Sequence, residues 1–179
     1  MEIHFQNIQI RNALPSDAEQ LCIWWNDGAV MAHAGFLNGL GITVERVMEE
    51  IEGNDDLDRL CIILYEGAPI GEMNYRIAKE SHVAEIGIKI CNPVKQNHGL
   101  GKVILSLFIR ELFTEYGVSK ITFDPNLKNV RAQHVYEQLG CRQVGVEIDS
   151  WRDQLGQLQS AVLYELTPEN FISYIPSKV

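Results

Sequence analysis

Glu85-Ile86-Gly87-Ile88-Lys89-Ile90-Cys91-Asn92-Pro93-Val94-Lys95-Gln96-Asn97-His98-Gly99-Leu100-Gly101-Lys102 is the stretch whose reading decides the fold. Its apolar period changes partway. Ile86, Ile88 and Ile90 alternate with other residues, the period of a half-buried strand. Asn92-Pro93 breaks the strand. From Leu100 the apolar residues recur at helical spacing: Leu100, Val103, Ile104, Leu107, Phe108 and Leu112. Between strand and helix lies a loop with Gly99 and Gly101. Glycines ahead of a helix N-terminus leave backbone N–H groups unshielded, which is what holding a phosphate requires.

Two phosphate loops can be tested against it. A Walker A loop needs Gly where Gln96 stands, and Ser or Thr where Val103 stands. A dinucleotide fingerprint needs a third small residue where Ile104 stands. Both fail, and Gln96-x-x-Gly99-x-Gly101 remains.

Working outward, the chain of 179 residues suits one domain. At 46% hydrophobic and 22% charged it has an ordinary globular composition. A net charge of -9 argues against nucleic acid as a partner and suits cationic ligands or plain solubility. No apolar run approaches ~20 residues, so no membrane partner is expected. The N-terminus, Met1-Glu2-Ile3-His4-Phe5, lacks the basic and apolar regions of a secretory signal. Cys22, Cys61, Cys91 and Cys141 are scattered, as buried free thiols in a reducing cytoplasm would be. No metal site is expected.

Taken in order, residues 3–13 predict one strand, and Ser16 with Glu19 the capping box of a first helix burying Leu21, Cys22 and Trp25. Residues 28–42, with four glycines, predict an irregular candidate binding loop. Thr43 caps a second helix to about Gly53. Strands follow over 60–65, 70–77 and 83–91, then the long helix to about Tyr116. A strand over 120–123, a helix over 129–139, and strands over 141–148 and 158–166 complete the series. The fold class is α+β, with a central mixed, mostly antiparallel sheet of about seven strands flanked by about four helices. Strand 83–91, the long helix and strand 120–124 form a right-handed parallel crossover. Residues 1–179 make one domain with a core of 8–167 and a peripheral tail, 168–179.

The Gln96–Gly101 loop, the element order, and the segment Asp124-Pro125-Asn126-Leu127-Lys128-Asn129-Val130-Arg131-Ala132-Gln133-His134-Val135-Tyr136-Glu137-Gln138-Leu139-Gly140-Cys141 together resemble the GCN5-related N-acetyltransferases. In that family the second segment reads Asn-x-x-Ala-x-x-x-Tyr-Glu-x-x-Gly-Phe. Cys141 replaces the Phe, a change of packing. Two branches look similar. Ala84-Glu85-Ile86-Gly87 and Trp25-Asn26-Asp27 resemble the RimJ/RimL-like ribosomal-protein-alanine acetyltransferases. Asp124-Pro125, Asn129-x-Arg131-Ala132 and Trp24-Trp25 resemble the aminoglycoside 6'-N-acetyltransferases.

The resemblance implies a cytoplasmic enzyme using acetyl-CoA, with direct transfer of the acetyl group to a primary amine and a possible homodimer. The acceptor is a small cationic amine, such as an aminoglycoside, or a protein N-terminus. An amine with a pKa of about 10.4 must lose a proton before it attacks. Glu85 is the leading base, against the plain reading of a strand carboxylate paired with Lys89. Glu72 is the second candidate. Tyr136 matches the family's general acid, against the plain reading of a core aromatic. Splayed strands would expose Ile88 and Ile90 to pantetheine, while Gln96, Asn97, His98, Gly99, Gly101 and Lys102 wrap the pyrophosphate. Asn129 would bind pantetheine, cap its helix, or both. Trp25, Phe36, Glu72, Asp149 and Trp151 are the acceptor-side candidates, with Asp153 as a further anchor for a cation. The competing class is a catalytically silent CoA-binding sensor with the same fold.

Overall fold

The computed structural model describes residues 1–96 and 99–176. Asn97 and His98 of the expected phosphate loop therefore lie outside the described residues. Eight strands form one sheet: β1 Glu2–Phe5, β2 Ile8–Asn12, β3 Asp58–Tyr65, β4 Ala68–Ala78, β5 Val83–Ile90, β6 Lys120–Phe123, β7 Arg142–Arg152 and β8 Leu158–Leu166. Their spatial order is β1-β2-β3-β4-β5-β6-β8-β7. Five α-helices are described: α1 Ala18–Trp25, α2 Gly28–Met31, α3 Val44–Glu52, α4 Leu100–Thr114 and α5 Val130–Gln138. The architecture is the α+β sheet expected, with only the β5–β6 pair parallel.

Several local expectations change. The strand expected over 3–13 is a hairpin, because Gln6 turns the chain at φ 50 and lets β1 pair with β2. The expected Ser16–Glu19 cap is absent. Asp17 instead accepts the Leu14 N–H at 2.7 Å and binds Arg11 through both carboxylate oxygens. The loop over 28–42 contains α2 and a 3-10 turn, Ala32–Ala34. Thr43 does cap α3, its hydroxyl accepting from the Arg46 N–H.

Two apolar layers sandwich the sheet. Ile104, Leu105, Leu107, Phe108 and Leu112 of α4 pack on Met73, Tyr75, Ala84 and Ile86. On the other face Leu21, Trp24 and Trp25 of α1 and Val47 and Ile51 of α3 cover Ile62 and Leu64 of β3. Residues 168–176, set aside from the sequence as a tail, run back over α4 and α5. Phe171, Tyr174 and Ile175 pack on the main core. The Tyr174 N–H donates to Oγ of the fully buried Ser106, and the Ile172 N–H to the Leu139 carbonyl. Gly140 permits this approach at φ 91, since a Cβ there would stand 1.9 Å from the Asn170 carbonyl oxygen.

One feature of the sheet positions the site. β4 holds β5 along its whole length, from Val83 opposite Ala78 to Ile90 opposite Gly71. β6 pairs with β5 only at Val83, Ala84 and Glu85. After Phe123 the chain follows β8 instead: the Leu127 N–H donates to Ser160, and the Val162 N–H to Pro125. Pro125 has no N–H of its own to offer β5. Beyond Glu85 that edge of β5 therefore has no strand partner among the described residues, and only the Ile90 carbonyl is taken, by the Gln96 side chain.

Candidate active site

The splay opens a cleft of about 390 Å3. Its floor is Ile86, Gly87, Ile88, Lys89 and Ile90 of the unpaired β5 edge. One wall carries Asp124, Pro125, Asn126, Asn129, Arg131, Ala132 and Tyr136. Ala29, Val30, His33 and Ala34 form a roof from α2 and the turn after it. Gln96, Gly101 and Leu105 close the end where α4 begins.

At that end Gly99 caps α4 in the left-handed conformation, φ 76, and among the described residues no side chain bonds the first helical turn. A Cβ at Gly99 or Gly101 would meet none of the described residues within 4 Å. Open space and the N–H groups at the positive end of a helix suit an anion. A neighbouring recess adds Lys95, Lys102, Arg131 and His134. Lys102 and Lys95 have their ammonium groups over the rings of Tyr174 and Tyr65, at 4.5 and 4.4 Å. Gln96 is a brace: its amide donates to the Ile90 carbonyl at 2.8 Å and accepts from Arg131 at 3.2 Å. Asn129 is the N-cap of α5, its side chain accepting from the Ala132 N–H.

Tyr136 stands on the wall facing the floor, 7% exposed, with its ring 4.3 Å from that of Phe123. Burial pushes its phenol up, and Cys141 and Asp124 add to the rise, so the hydroxyl stays protonated at neutral pH. Cys91 and Cys141 are each pushed up to about 12, burial being the main cause. Both remain thiols, which disfavours an acyl-cysteine intermediate.

Glu85 is exposed on β5, opposite Arg76 and Thr122, and lies just off the cleft lining. Asp124, quoted in the sequence motif but not singled out, lines the cleft two residues beyond Thr122. Its carboxyl is raised, first by desolvation and then by the negative charge of Glu85 and Glu147. Strand pairing puts Glu85 and Thr122 on one face of the sheet, and Asp124 follows just past the end of β6.

The acceptor candidates scatter. Glu72, 3% exposed, is paired with Lys89 at 2.8 Å, so Lys89 serves Glu72 rather than Glu85. The other carboxylate oxygen of Glu72 and the indole N–H of Trp25 are buried without a partner among the described residues. Trp25 lies in the second apolar layer. Phe36 is exposed in the segment that follows the roof. Asp149 is exposed at φ 52, where β7 slips register against β8. Trp151 lies against Gly35 beside the roof. Asp153 is buried in hydrogen bonds: desolvation raises its carboxyl, but donors from Gln157, Gln159 and Leu155 hold it below the usual range. His33, Arg131 and Lys95 were missed by the sequence reading, since only the fold brings the roof turn, the first turn of α5 and the turn after β5 to the cleft and the recess beside it.

A splayed strand floor, a helix N-terminus at one end and ionisable groups at the other define an acyl-carrier-dependent transferase. The model of the acetyltransferase (GNAT) domain matches residues 7–142, so the chain belongs to the GNAT acetyltransferase family. It is accordingly an N-acetyltransferase whose cofactor is acetyl-CoA. No curated protein matches. Among solved structures, spermidine N-acetyltransferase from Vibrio cholerae, in complex with CoA and spermine, is similar at a TM-score of 0.83 and 18% identity, covering 92% of this chain and 97% of that one. A ribosomal-protein-alanine N-acetyltransferase from Brucella melitensis gives 0.75 and 19%, covering 88% and 98%. A GNAT acetyltransferase from Bacillus anthracis gives 0.79 and 20%, covering 94% and 99%. At such identities these likenesses speak for the fold. Among the described residues no helix is long and apolar enough to cross a membrane.

Proposed function

We propose that the protein transfers acetyl from acetyl-CoA directly to the primary amine of a small cationic acceptor. The observation that carries this is the charge polarity of one continuous cleft. Arg131 and the Gly99-capped N-terminus of α4 lie at one end, and Asp124 with Glu85 beside it at the other. A pyrophosphate suits the first and an ammonium group the second. CoA would lie along the floor, its pantetheine amides bonding the strand-free edge of β5 at Ile86 and Ile88. Acetyl-CoA supplies the activated acyl group.

The carboxylate pair takes the proton from the acceptor ammonium, Asp124 being the member that lines the cleft. A base raised above the ordinary carboxylate range is better matched to neutral pH. The free amine attacks the thioester carbon, and a backbone N–H of Ile88 or Ile90 would steady the oxyanion. The C–S bond breaks, the sulfur takes a proton, and the nitrogen loses its second one. Amide, CoA thiol and one net proton leave. Tyr136 donates the hydrogen bond that stabilises the departing sulfur. The wide amine of an aminoglycoside and the slender amine of a polyamine both satisfy this chemistry. The test is thiol release from acetyl-CoA over a panel of amines and N-terminal peptides. Release with cationic small amines supports the proposal. Release only with peptides moves the acceptor to a protein N-terminus. Tight CoA binding with no release from any amine would leave the silent sensor.

A further inference from the structure

We propose that Gln154 is a positioning residue that fixes the width of acceptor the cleft admits, an inference resting on the acetyl-transfer reading above. Gln154 sits in the turn between β7 and β8. Its backbone N–H donates to the Gly35 carbonyl at 2.8 Å. Its side-chain oxygen accepts from the Asn38 N–H at 2.8 Å, and its side-chain nitrogen donates to the Gly39 carbonyl at 2.9 Å. One glutamine thus bonds to three residues of the segment that continues from the roof.

The roof has little freedom to answer by rearranging. A Cβ on Gly28 would stand 2.0 Å from the Leu37 carbonyl oxygen, and one on Gly39 2.2 Å from that of Asn26. At Gly35, φ 90, a Cβ would stand 2.4 Å from the Trp151 ring. The roof segment is therefore folded tightly on itself and pressed against the hairpin.

The hairpin is in turn tied to the opposite wall. Asp153, the residue before Gln154, accepts from Gln159 at 2.7 Å. The Gln159 side-chain oxygen accepts from Lys128 at 2.9 Å and Asn126 at 3.3 Å. Asn126 lines the cleft beside Asp124. A connected path of hydrogen bonds and one peptide link runs from roof to wall, with Gln154 as its joint. An acceptor amine must pass between those two surfaces to reach Asp124. Loosening the joint should widen the passage and blunt the placement of a slender amine. Displacements of about 1 Å cost reaction rates heavily.

The test compares wild type, Gln154→Ala and Gln154→Glu. The second variant keeps size and one acceptor oxygen but loses the donation to Gly39, so it serves if the first fails to fold. Hydrogen exchange is read over residues 28–42 and over α4, with kinetics for spermine, an aminoglycoside and acetyl-CoA. The expected result is faster exchange in 28–42 alone, a spermine KM raised about tenfold, an unchanged acetyl-CoA KM, and relative kcat/KM moved towards the aminoglycoside. Unchanged protection of 28–42 overturns the proposal whether or not any amine turns over. So does an unchanged acceptor ratio, or an equal rise in both KM values. Absence of turnover in the wild type would instead count against the acetyl-transfer reading, and the exchange measurement still decides the latch.

Discussion

Glu85 and Thr122 are the last pair that β5 makes with β6. β5 continues straight because β4 holds it, while the chain after β6 turns towards β8 at Pro125. The open edge between them is the floor of the cleft, and the carboxylates of Glu85 and Asp124 flank its start.

Those two carboxylates give a pH prediction. Asp124 is raised by desolvation and, secondarily, by Glu85. If Asp124 is the base, Glu85→Gln leaves activity in place and moves the acid limb of kcat/KM to lower pH, because a like charge is gone. If Glu85 is the base, the same substitution removes the limb along with most of the rate. A pH–rate profile of the variant separates the two.

Asp124 should also destabilise the fold it serves. Its folded pKa lies above the unfolded one, so the native state binds more protons between the two values. Stability then falls as pH rises through that window, and the penalty is full above it. Asp124→Asn should melt higher than wild type at pH 7 while losing turnover. That gain should vanish below the unfolded aspartate pKa of about 3.9. Melting curves at three pH values check it, and an unchanged or lower melting point at pH 7 would contradict it.

Tyr136→Phe removes only the hydroxyl and keeps the ring between Phe123 and Tyr164. We expect kcat to drop by about 100-fold, the lower end for loss of a general acid. CoA affinity by calorimetry should be unchanged. Unaltered kcat would return Tyr136 to a packing role.

Gly101→Val probes the cofactor end without loading the fold. A Cβ there meets none of the described residues within 4 Å, but a valine would enter the space a pyrophosphate needs. The melting temperature should hold while CoA affinity falls at least about tenfold, the loss of one charge-assisted hydrogen bond. Normal affinity would place the cofactor elsewhere.

The segment after β8 is a separate test. Ser106→Ala leaves the Tyr174 N–H without its acceptor and should cost about 1–3 kcal/mol if that group stays buried. Gly140→Ala should cost more, combining a left-handed φ with overlap on Asn170. Denaturant titrations measure both, and values near zero would make the segment dispensable.

The sequence alone determined the elements that rest on local period and local caps. The alternation of Ile86, Ile88 and Ile90, the helical spacing from Leu100, and the Asn129 cap each act over a few residues. Their order then fixed the sheet and crossover, and with them the end of the cleft where α4 begins. Only the tertiary structure decided which ionisable groups meet. Lys89 pairs with Glu72 because two strands align in one register, not because of spacing along the chain. Asp124 reaches the cleft because β6 stops early, and Gln154 reaches the roof because the β7–β8 turn reaches Gly35 and Gly39. A carboxylate's proton affinity depends on burial and neighbouring charge, so the acceptor end became readable only once distant segments lay side by side.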